Sequence, residues 1–227
     1  DKELKNKNDR TWCFWEVGEG TFEPIVYKRW KDLWFHSYYL SKSLELQPYQ
    51  YKLIRGIDFY NYCLDIIQQQ PNITFLQAPV EKVFSNKEEG TGVVAGGKVY
   101  KSQYVFNSIL FQKPQLKQHQ YWLLQHFKGW VIETASDVFD AQSGTLMDFR
   151  TSQSEGATFF YVLPFAPNKA LVEYTLFSKE ILQPEAYQSA LKNYLKETWK
   201  LEDYKVLEEE WGVIPMTNVN FPTVNGN

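Results

Sequence analysis

The stretch TFFYVLPFAPNKALVEYTLF, residues 158–177, is the part of the chain that decides the predicted fold. Two runs rich in aromatic and aliphatic residues, 158–163 and 170–177, flank a segment that contains Pro and Asn. Runs of this kind, bounded by turn-forming residues, are typical of antiparallel β-strands. A regular hairpin connection predicts that Phe160 lies about opposite Glu173, whereas a register slip of one residue reverses the faces.

The same pattern extends on both sides of this hairpin. From residue 125 we predict further antiparallel strands over 129–134 and 145–150, and a last strand over 204–216. Residues 184–199 repeat apolar side chains at helical spacing, and Pro184 is tolerated in the first turn of a helix. The second half of the chain is therefore predicted to be an antiparallel, β-rich domain of the α+β type that also carries a helix.

The first half mixes helical and strand patterns. Residues 49–54 alternate as a strand does, and 56–69 carry an apolar stripe of helical period that stops before Pro71. Residues 90–102 indicate a glycine-rich hairpin. We also predict a strand over 73–84 that is broken at Pro79, a buried strand over 104–109, and helix-like spacing of Trp30, Leu33, Trp34 and Tyr38.

The composition narrows the class of protein. The chain has 227 residues, of which 44% are hydrophobic and 22% charged, as in an ordinary globular protein. Its net charge of -3 gives no electrostatic basis for binding nucleic acid. Aromatic residues make up 17% of the chain, and such rings line apolar ligand cavities as readily as they fill cores.

Cysteine and histidine give no indication of a metal site. Cys13 and Cys63 lie far apart in sequence, and the three histidines have no ligand spacing with each other or with either cysteine. We therefore expect no metal and a reducing, cytoplasmic location. No run approaches the roughly 18 apolar residues that a spanning helix needs, so any membrane contact is expected to be peripheral.

Glu173 is the leading candidate for chemistry. It is the single acidic residue in the otherwise uncharged segment 170–177, on the same strand face as Leu171, Thr175 and Phe177. Burial in an apolar pocket would disfavour the ionised form of such a carboxyl group. The alternative is a solvated glutamate on the outer side of a sheet.

Four segments in order resemble the lycopene β-cyclase family, whose members are flavin-dependent carotenoid enzymes. The first is Asn-Asp-Arg-Thr-Trp-Cys-Phe-Trp-Glu at 8–16, and the second is Gly-Trp-Val-Ile-Glu-Thr at 129–134. The third is Met-Asp-Phe-Arg at 147–150, and the fourth is Glu-Trp-Gly-Val-Ile-Pro-Met at 210–216. Together they extend over nearly the whole chain.

The resemblance implies an α/β fold with a glutathione-reductase-type FAD-binding domain and a β-rich substrate domain. It assigns 1–110 to an incomplete FAD-binding domain, 111–217 to the carotenoid domain and 218–227 to the return to the first. No G-x-G-x-x-G motif occurs in the sequence, so the turn that holds the pyrophosphate is absent. We therefore expect the chain to be an excerpt that binds flavin poorly by itself.

The resemblance also implies roles for particular residues. The segment Leu-Val-Glu-Tyr-Thr at 171–175 resembles the family's Phe-Leu-Glu-Glu-Thr motif, in which the glutamate at the position of Glu173 is the catalytic acid. Tyr174 stands where that motif has a second glutamate, so a mechanism based on an adjacent acid pair is in question. Expected substrate-binding residues are Trp130, Phe160, Tyr161, Tyr174 and Thr175, and expected cofactor-binding residues are Asp1, Arg10 and Arg55.

The implied reaction is redox-neutral: cyclisation of lycopene through γ-carotene to β-carotene, with reduced FAD as cofactor and NAD(P)H as its reductant. The expected site of peripheral membrane contact is an aromatic cluster with lysines beside it: Trp30, Trp34, Phe35 and Tyr38, with Lys28 and Lys31. Two alternatives remain open at this point. One is another flavoprotein of the same superfamily, such as a monooxygenase or prenyl reductase, and the other is a non-catalytic module that binds apolar ligands.

Overall fold

The computed structural model describes residues 5–221. These residues form a mixed α/β fold that is dominated by strands. The strands are β1 Thr11–Glu16, β2 Lys28–Trp30, β3 Asp32–His36, β4 Ser41–Glu45, β5 Gln50–Arg55, β6 Val80–Asn86, β7 Gly90–Ala95, β8 Lys98–Lys101, β9 Trp122–Glu133, β10 Ser143–Asp148, β11 Ala157–Ala166, β12 Lys169–Ser178 and β13 Lys205–Thr217. The α-helices are α1 Gly56–Gln68 and α2 Pro184–Trp199.

The chain divides into two compact units. Among the described residues, the large unit comprises 7–62 and 122–216, and the small unit comprises 5–6, 63–121 and 217–221. These boundaries differ from the predicted division at residue 110, because β3 and β4 join the sheet that β9 to β13 form. Within the small unit, β6, β7 and β8 make a three-stranded antiparallel sheet.

A seven-stranded sheet is the centre of the large unit. Its strand order is β13-β9-β12-β11-β10-β3-β4, with a parallel pairing between β10 and β3. The predicted strands over 129–134, 158–163 and 170–177 lie in β9, β11 and β12, which pair antiparallel as expected. The predicted antiparallel arrangement does not hold on one side of β10, because β10 pairs there in parallel with β3, a strand from the first half of the chain.

Each face of this sheet buries a separate core. On one face, α2 packs its apolar stripe, including Leu191 and Leu195, against Phe160, Val162 and Val172. On the other face, a second sheet of order β1-β5-β2 packs its own buried side chains against Leu163 and Leu171. Because side chains alternate between the two faces along β11 and β12, these strands contribute residues to both cores.

Three sequence-based predictions are wrong. Residues 30–39 contain strand β3 instead of a helix, because the aromatic residues of this segment lie in a strand that pairs with β10 on one side and with β4 on the other. Of the strand predicted over 73–84, only the part after Pro79 forms, as β6. Residues 104–109 form no strand, and Tyr104 and Phe106 are 77% and 98% exposed. By contrast, the predicted helices agree closely with α1 and α2.

No helix in the described part of the chain is both long enough and apolar enough to cross a membrane. Within residues 5–221 there is also no group of three or more histidine, cysteine and acidic side chains that could hold a metal ion.

Candidate active site around Glu173

A cavity of about 560 Å³ lies in the large unit, between β1 and β5 on one side and the seven-stranded sheet on the other. Its walls are mostly apolar. They are formed by Arg10, Thr11, Trp12, Cys13, Tyr51, Gln125, Phe127, Tyr161, Leu163, Leu171, Glu173, Glu210, Trp211, Gly212, Val213 and Ile214. The size is within the range of cavities that bind small apolar ligands.

Glu173 lies in the wall of this cavity. Strand alternation along β12 turns it to the same side as Leu171, while Val172 and Tyr174 point into the α2 core. The Thr175 hydroxyl, two residues further along the same face, donates a hydrogen bond of 2.8 Å to Glu173 Oε1. The predicted face of Glu173 is therefore correct, and this face lines a cavity.

A second carboxyl group, that of Glu210, meets Glu173 in the same wall. Strands β12 and β13 flank β9 on its two sides, and Gly129 of β9 is the residue directly paired with Glu173. A Cβ at position 129 would lie 2.7 Å from Glu210 Cγ and 3.0 Å from its Oε1. The missing side chain of Gly129 thus leaves the space across which the two carboxyl groups approach each other.

Burial raises the pKa of both carboxyl groups of this pair. Burial raises the pKa of Glu173 well above its usual value, and the charge and hydrogen bonding of Glu210 raise it further, against the opposing bond from Thr175. Burial also raises the pKa of Glu210, while hydrogen bonds from Glu173 and Thr11 oppose this. Two carboxyl groups so close together in an apolar wall disfavour ionisation of both at once, as in other sites where carboxyl groups act as acids.

Three other polar side chains of the wall are buried thiol or phenol groups. Burial raises the pKa of the Cys13 thiol, the Tyr51 phenol and the Tyr161 phenol. Cys13 and Tyr51 also share a hydrogen bond. Cys13 is accordingly a thiol and not a reactive thiolate.

The predicted substrate-binding residues fall on two different faces. Tyr161 lines the cavity, and Thr175 contacts Glu173. Trp130, Phe160 and Tyr174 instead lie in the core under α2, where the ring of Phe160 stacks on that of Tyr194 at 3.8 Å. This face does not line the cavity that contains Glu173.

The register of the hairpin explains the difference. Glu173 pairs with Tyr161, and Phe160 pairs with Tyr174, so the prediction that Phe160 lies opposite Glu173 is wrong by one residue. The ladder is irregular between Pro164 and Ala166, where β11 has one more residue than β12. A bulge of this kind shifts the register by one and exchanges the two faces of the strand.

The predicted cofactor residues are already engaged with acidic neighbours. Arg10 lines the cavity, and its Nη2 lies 3.0 Å from Asp9 Oδ2. Arg55 binds Asp58 at 2.6 and 2.9 Å, and its guanidinium lies 4.4 Å from the centre of the Tyr27 ring. Asp1 lies outside the described residues.

The described residues do not fit the pyrophosphate of a dinucleotide. Helix α1 follows directly on β5, as in a dinucleotide-binding unit, but its first turn carries the acidic Asp58 and no glycine-rich turn. A carboxylate at a helix N-terminus repels a phosphate that would otherwise bind there. Arg10 is the described cofactor candidate that lines the cavity.

A separate polar cluster ties β10 to α2. Asp148, which is fully buried, accepts bonds from the Arg150 side chain at 2.6 and 2.9 Å, and the Tyr194 hydroxyl donates to it at 2.8 Å. Asp148 and Arg150 of the third motif thus form an ion pair. The cluster borders a second cavity of about 320 Å³, lined also by Trp34 and His36.

A family model described as "Lycopene cyclase protein" matches residues 2–226. The chain belongs to the lycopene cyclase family. The resemblance given by the four sequence motifs is thereby confirmed. No curated protein matches the sequence significantly.

Solved structures with the same fold include a reductase-like protein, a flavin-dependent brominase and a halogenase. A geranylgeranyl bacteriochlorophyll reductase-like protein from Thermoplasma acidophilum is 11% identical, with a TM-score of 0.55 over 86% of this chain and 52% of that one. A flavin-dependent brominase is 7% identical, with a TM-score of 0.54 over 86% and 53%. The halogenase PltM is 14% identical, with a TM-score of 0.53 over 83% and 43%. The chain of this lycopene cyclase family member spans about half the length of these structures, and the likeness shows the predicted fold class.

Three of the four motifs of this lycopene cyclase chain meet at the cavity. The first provides Thr11 and Cys13 on β1, the second provides Gly129 on β9, and the fourth provides Glu210 and Trp211 on β13. Gly212 of the fourth motif lets the Phe127 ring pack over β13, because a Cβ there would lie 2.3 Å from Phe127 Cζ. The third motif forms the Asp148 cluster instead.

Glu210 is the site residue that the sequence analysis missed. It begins the fourth motif, so the sequence contained a signal. Its side chain is recognisable as part of the site only when β13 is known to lie beside β9, 37 residues beyond Glu173 in sequence.

Proposed function

We propose that this protein is a lycopene β-cyclase. It converts the open ends of lycopene into β-ionone rings, through γ-carotene to β-carotene, by acid catalysis and without net oxidation or reduction. The observation that carries this proposal is the carboxyl group of Glu173, which is buried beside Glu210 in the wall of a largely apolar cavity, where burial raises its pKa. Membership of the lycopene cyclase family supports it independently.

Glu173 is the proposed general acid. It transfers its proton to the terminal trisubstituted alkene, which leaves a tertiary carbocation, and the neighbouring double bond attacks that cation to close the ring. Loss of a ring proton to a carboxylate of the site restores the acid and gives an isomer of the substrate. An exposed carboxyl group would be ionised at neutral pH and unable to take the first step, so burial is a condition of the chemistry.

The cavity walls suit a carbocation. The rings of Phe127, Tyr161 and Trp211 line the cavity with Glu173, and aromatic faces attract cations through their quadrupole. Arg10, the positive side chain in the lining, is neutralised by Asp9. A cavity of about 560 Å³ accommodates a drug-sized molecule, so we propose that one end of the forty-carbon substrate enters at a time.

Reduced FAD, with NAD(P)H as its reductant, is the proposed cofactor on the basis of the family resemblance. Arg10 is the described residue best located to approach it, since it lines the cavity. The described residues do not form a pyrophosphate site, and the roles proposed for Glu173 and the cavity walls are independent of the flavin.

We also propose a cytoplasmic enzyme in peripheral contact with a membrane, from which an apolar carotenoid has to be drawn. Trp30, part of the predicted contact cluster, is buried, but the turn between β3 and β4 is exposed and rich in apolar groups. There Tyr38, Tyr39 and Leu40 are 66%, 100% and 52% exposed. Exposed aromatic side chains of this kind suit the membrane interface.

The decisive experiment is Glu173→Gln in the complete gene, expressed in bacteria that accumulate lycopene. Glutamine keeps the size and the bond from Thr175 but has no proton to transfer, so β-carotene formation should fall at least about 10² to 10⁴-fold at equal protein level. Glu133→Gln, an exposed glutamate at the end of β9, is the matched control and should leave the yield unchanged.

Pigment analysis by mass distinguishes the alternatives. A cyclase leaves the mass of lycopene unchanged, whereas a monooxygenase adds oxygen and a prenyl reductase adds hydrogen. Oxygenated or hydrogenated carotenoids from the unmodified enzyme would therefore refute the proposal. Near-normal β-carotene from Glu173→Gln would show that another group is the acid, and a protein that binds lycopene without converting it would be a carrier.

A further inference from the structure

The contact between Glu173 and Glu210 is more specific than the presence of two acids in one cavity. The carboxyl groups come from strands on either side of β9 and meet over Gly129, within hydrogen-bonding reach of each other. With any side chain at position 129, the Cβ would lie 2.7 Å from Glu210 Cγ and 3.1 Å from Leu171 Cδ1. Both distances are shorter than ordinary van der Waals contact, so Gly129 is required for this approach.

The hydrogen bonds around the pair are incomplete unless it carries a proton. Glu210 Oε1 is buried and finds no hydrogen-bond donor among residues 5–221. The Glu173 carboxyl lies within hydrogen-bonding reach of Glu210, and an ionised carboxylate has no hydrogen to donate. A proton on Glu173 supplies the missing donor, and the buried oxygen is then satisfied, as buried polar atoms normally are.

We propose that Glu173 and Glu210 function as one proton-sharing pair. Glu210 remains ionised and accepts the hydrogen bond of protonated Glu173, and this bond keeps the proton on Glu173. This inference rests on the proposed function for its catalytic consequence. Glu210 is in these terms a positioning residue, since it acts on the substrate through Glu173.

The surroundings assign the proton to Glu173. At Glu173, burial and the neighbouring Glu210 both raise the pKa. At Glu210, burial raises the pKa, but the hydrogen bonds from Glu173 and Thr11 stabilise the ionised form. The first proton to leave the pair therefore comes from Glu210, and the second, from Glu173, leaves only at higher pH because it would create two adjacent charges.

The other titratable groups that face the pair do not change this order. From β1, β5 and β11, the pair meets groups that burial keeps neutral, namely Cys13, Tyr51 and Tyr161. The negative charges of Glu208 and Asp9 raise the pKa of Glu210, and Arg10 is paired with Asp9. Lys128 of β9 is bound to Glu209, which precedes Glu210 on β13. Among residues 5–221, no ion pair thus joins a cation to Glu173 or Glu210.

The test is the pH profile of cyclisation by the full-length enzyme, assayed with lycopene in liposomes. Activity requires protonated Glu173, so it is lost as pH rises through the pKa of that group. Glu210→Gln removes the adjacent charge but keeps the size and a hydrogen-bonding group. We expect the alkaline loss of activity to move at least about one pH unit lower in this variant. Gly129→Ala should give a shift in the same direction, because it separates the two carboxyl groups.

Glu209→Gln is the matched control, because it removes the same charge from the adjacent residue of β13, which is ion-paired with Lys128. Its profile should coincide with that of the unmodified enzyme. A Glu210→Gln profile that also coincides with the unmodified one would overturn the proposal. An equal shift in Glu209→Gln would overturn it as well, since the effect would then be one of total charge.

Infrared spectroscopy gives a second measurement that needs no turnover. The carbonyl stretch of a protonated carboxyl group should be present in the full-length enzyme at neutral pH. As the pH is raised, Glu210→Gln should lose this band at a lower pH than the unmodified enzyme does. Absence of this band at neutral pH in the unmodified enzyme would overturn the pair. If the enzyme forms no cyclised product but the band titrates as described, the proton-sharing pair stands and the proposed function fails.

Discussion

Burial and hydrogen bonding set the charge of individual side chains in opposite directions at two carboxyl sites of this protein. Asp148 is fully buried, and burial alone would raise its pKa, but hydrogen bonds from Arg150 and Tyr194 outweigh that effect, and its pKa lies below the usual value. Glu173 has a carboxyl group as its neighbour instead of a guanidinium, and its pKa is raised. The partner therefore decides whether a buried carboxyl is an ion or an acid.

Asp148→Asn should destabilise the fold by about 1.5 to 3 kcal/mol at neutral pH, the range for a hydrogen bond to a charged group. Because folding lowers the pKa of Asp148, its contribution is present above the usual value of 3.8 and is lost as pH falls below it. The difference between the two proteins in the free energy of unfolding should accordingly shrink on acidification.

Urea denaturation at pH 7 and near pH 3.5 measures this difference. Asp137→Asn, at an exposed position, is the control and should change neither value. A loss of stability in Asp148→Asn that stays the same at both pH values would contradict an ionic role for Asp148.

At the scale of the secondary-structure element, alternate residues of β11 face two different environments. Phe160 packs against Tyr194 of α2 and is 1% exposed, whereas Tyr161 lines the cavity on the opposite face. Residues of β9 alternate in a similar way: Trp130 lies in the α2 core, and Gly129 lies beneath the acid pair. The sheet thus separates residues that stabilise the fold from those that form the site.

Neighbouring substitutions in β11 should therefore have different consequences. Phe160→Leu removes the stack on Tyr194 and should lower the free energy of unfolding by about 1 to 3 kcal/mol, since the shape of the core changes. Its rate of cyclisation per folded molecule should stay close to normal. Tyr161→Leu should retain more of the stability but reduce the rate, because an aromatic face is lost from the cavity wall.

Denaturation curves and the conversion of lycopene by purified full-length enzyme give both quantities. A large loss of rate in folded Phe160→Leu would mean that the α2 face contacts the substrate after all, as the sequence analysis expected.

At the scale of the whole molecule, an apolar surface accompanies the apolar cavity. In the large unit, the turn between β3 and β4 exposes Tyr38, Tyr39 and Leu40, and Lys42 follows at the start of β4. Aromatic residues with a lysine nearby are suited to the boundary between lipid and water.

Tyr39→Ala should therefore reduce the fraction of full-length enzyme that floats with liposomes, because this side chain is completely exposed and supports no core. Tyr49→Ala, which changes a half-exposed tyrosine beyond the other end of β4, is the control and should float normally. Flotation that is equal in all three proteins, or absent in all, would mean that the turn is not a membrane contact.

The sequence by itself determined both helices, most strands of the second half and the family to which the chain belongs. Apolar periodicity is a local property, so α1, α2 and the strands from β9 to β13 could be predicted from neighbouring residues. The isolation of Glu173 among uncharged residues likewise indicated its apolar face. Each motif is likewise a short stretch of neighbouring residues, so the motifs could identify the family from the sequence.

Only the tertiary structure decided which residues share the site. A bulge of one residue in β11 moved Phe160 out of the cavity wall and Tyr161 into it, and local periodicity does not fix register. The pairing of β13 with β9 brought Glu210 to Glu173 across Gly129, and no local signal encodes a contact between distant strands. The same holds for β3, whose aromatic residues have helical spacing in sequence but pair with β10 in the fold. The physical reason is that hydrogen bonding between strands and burial of shared surface are properties of the assembled sheet, and these override the preference of any single segment.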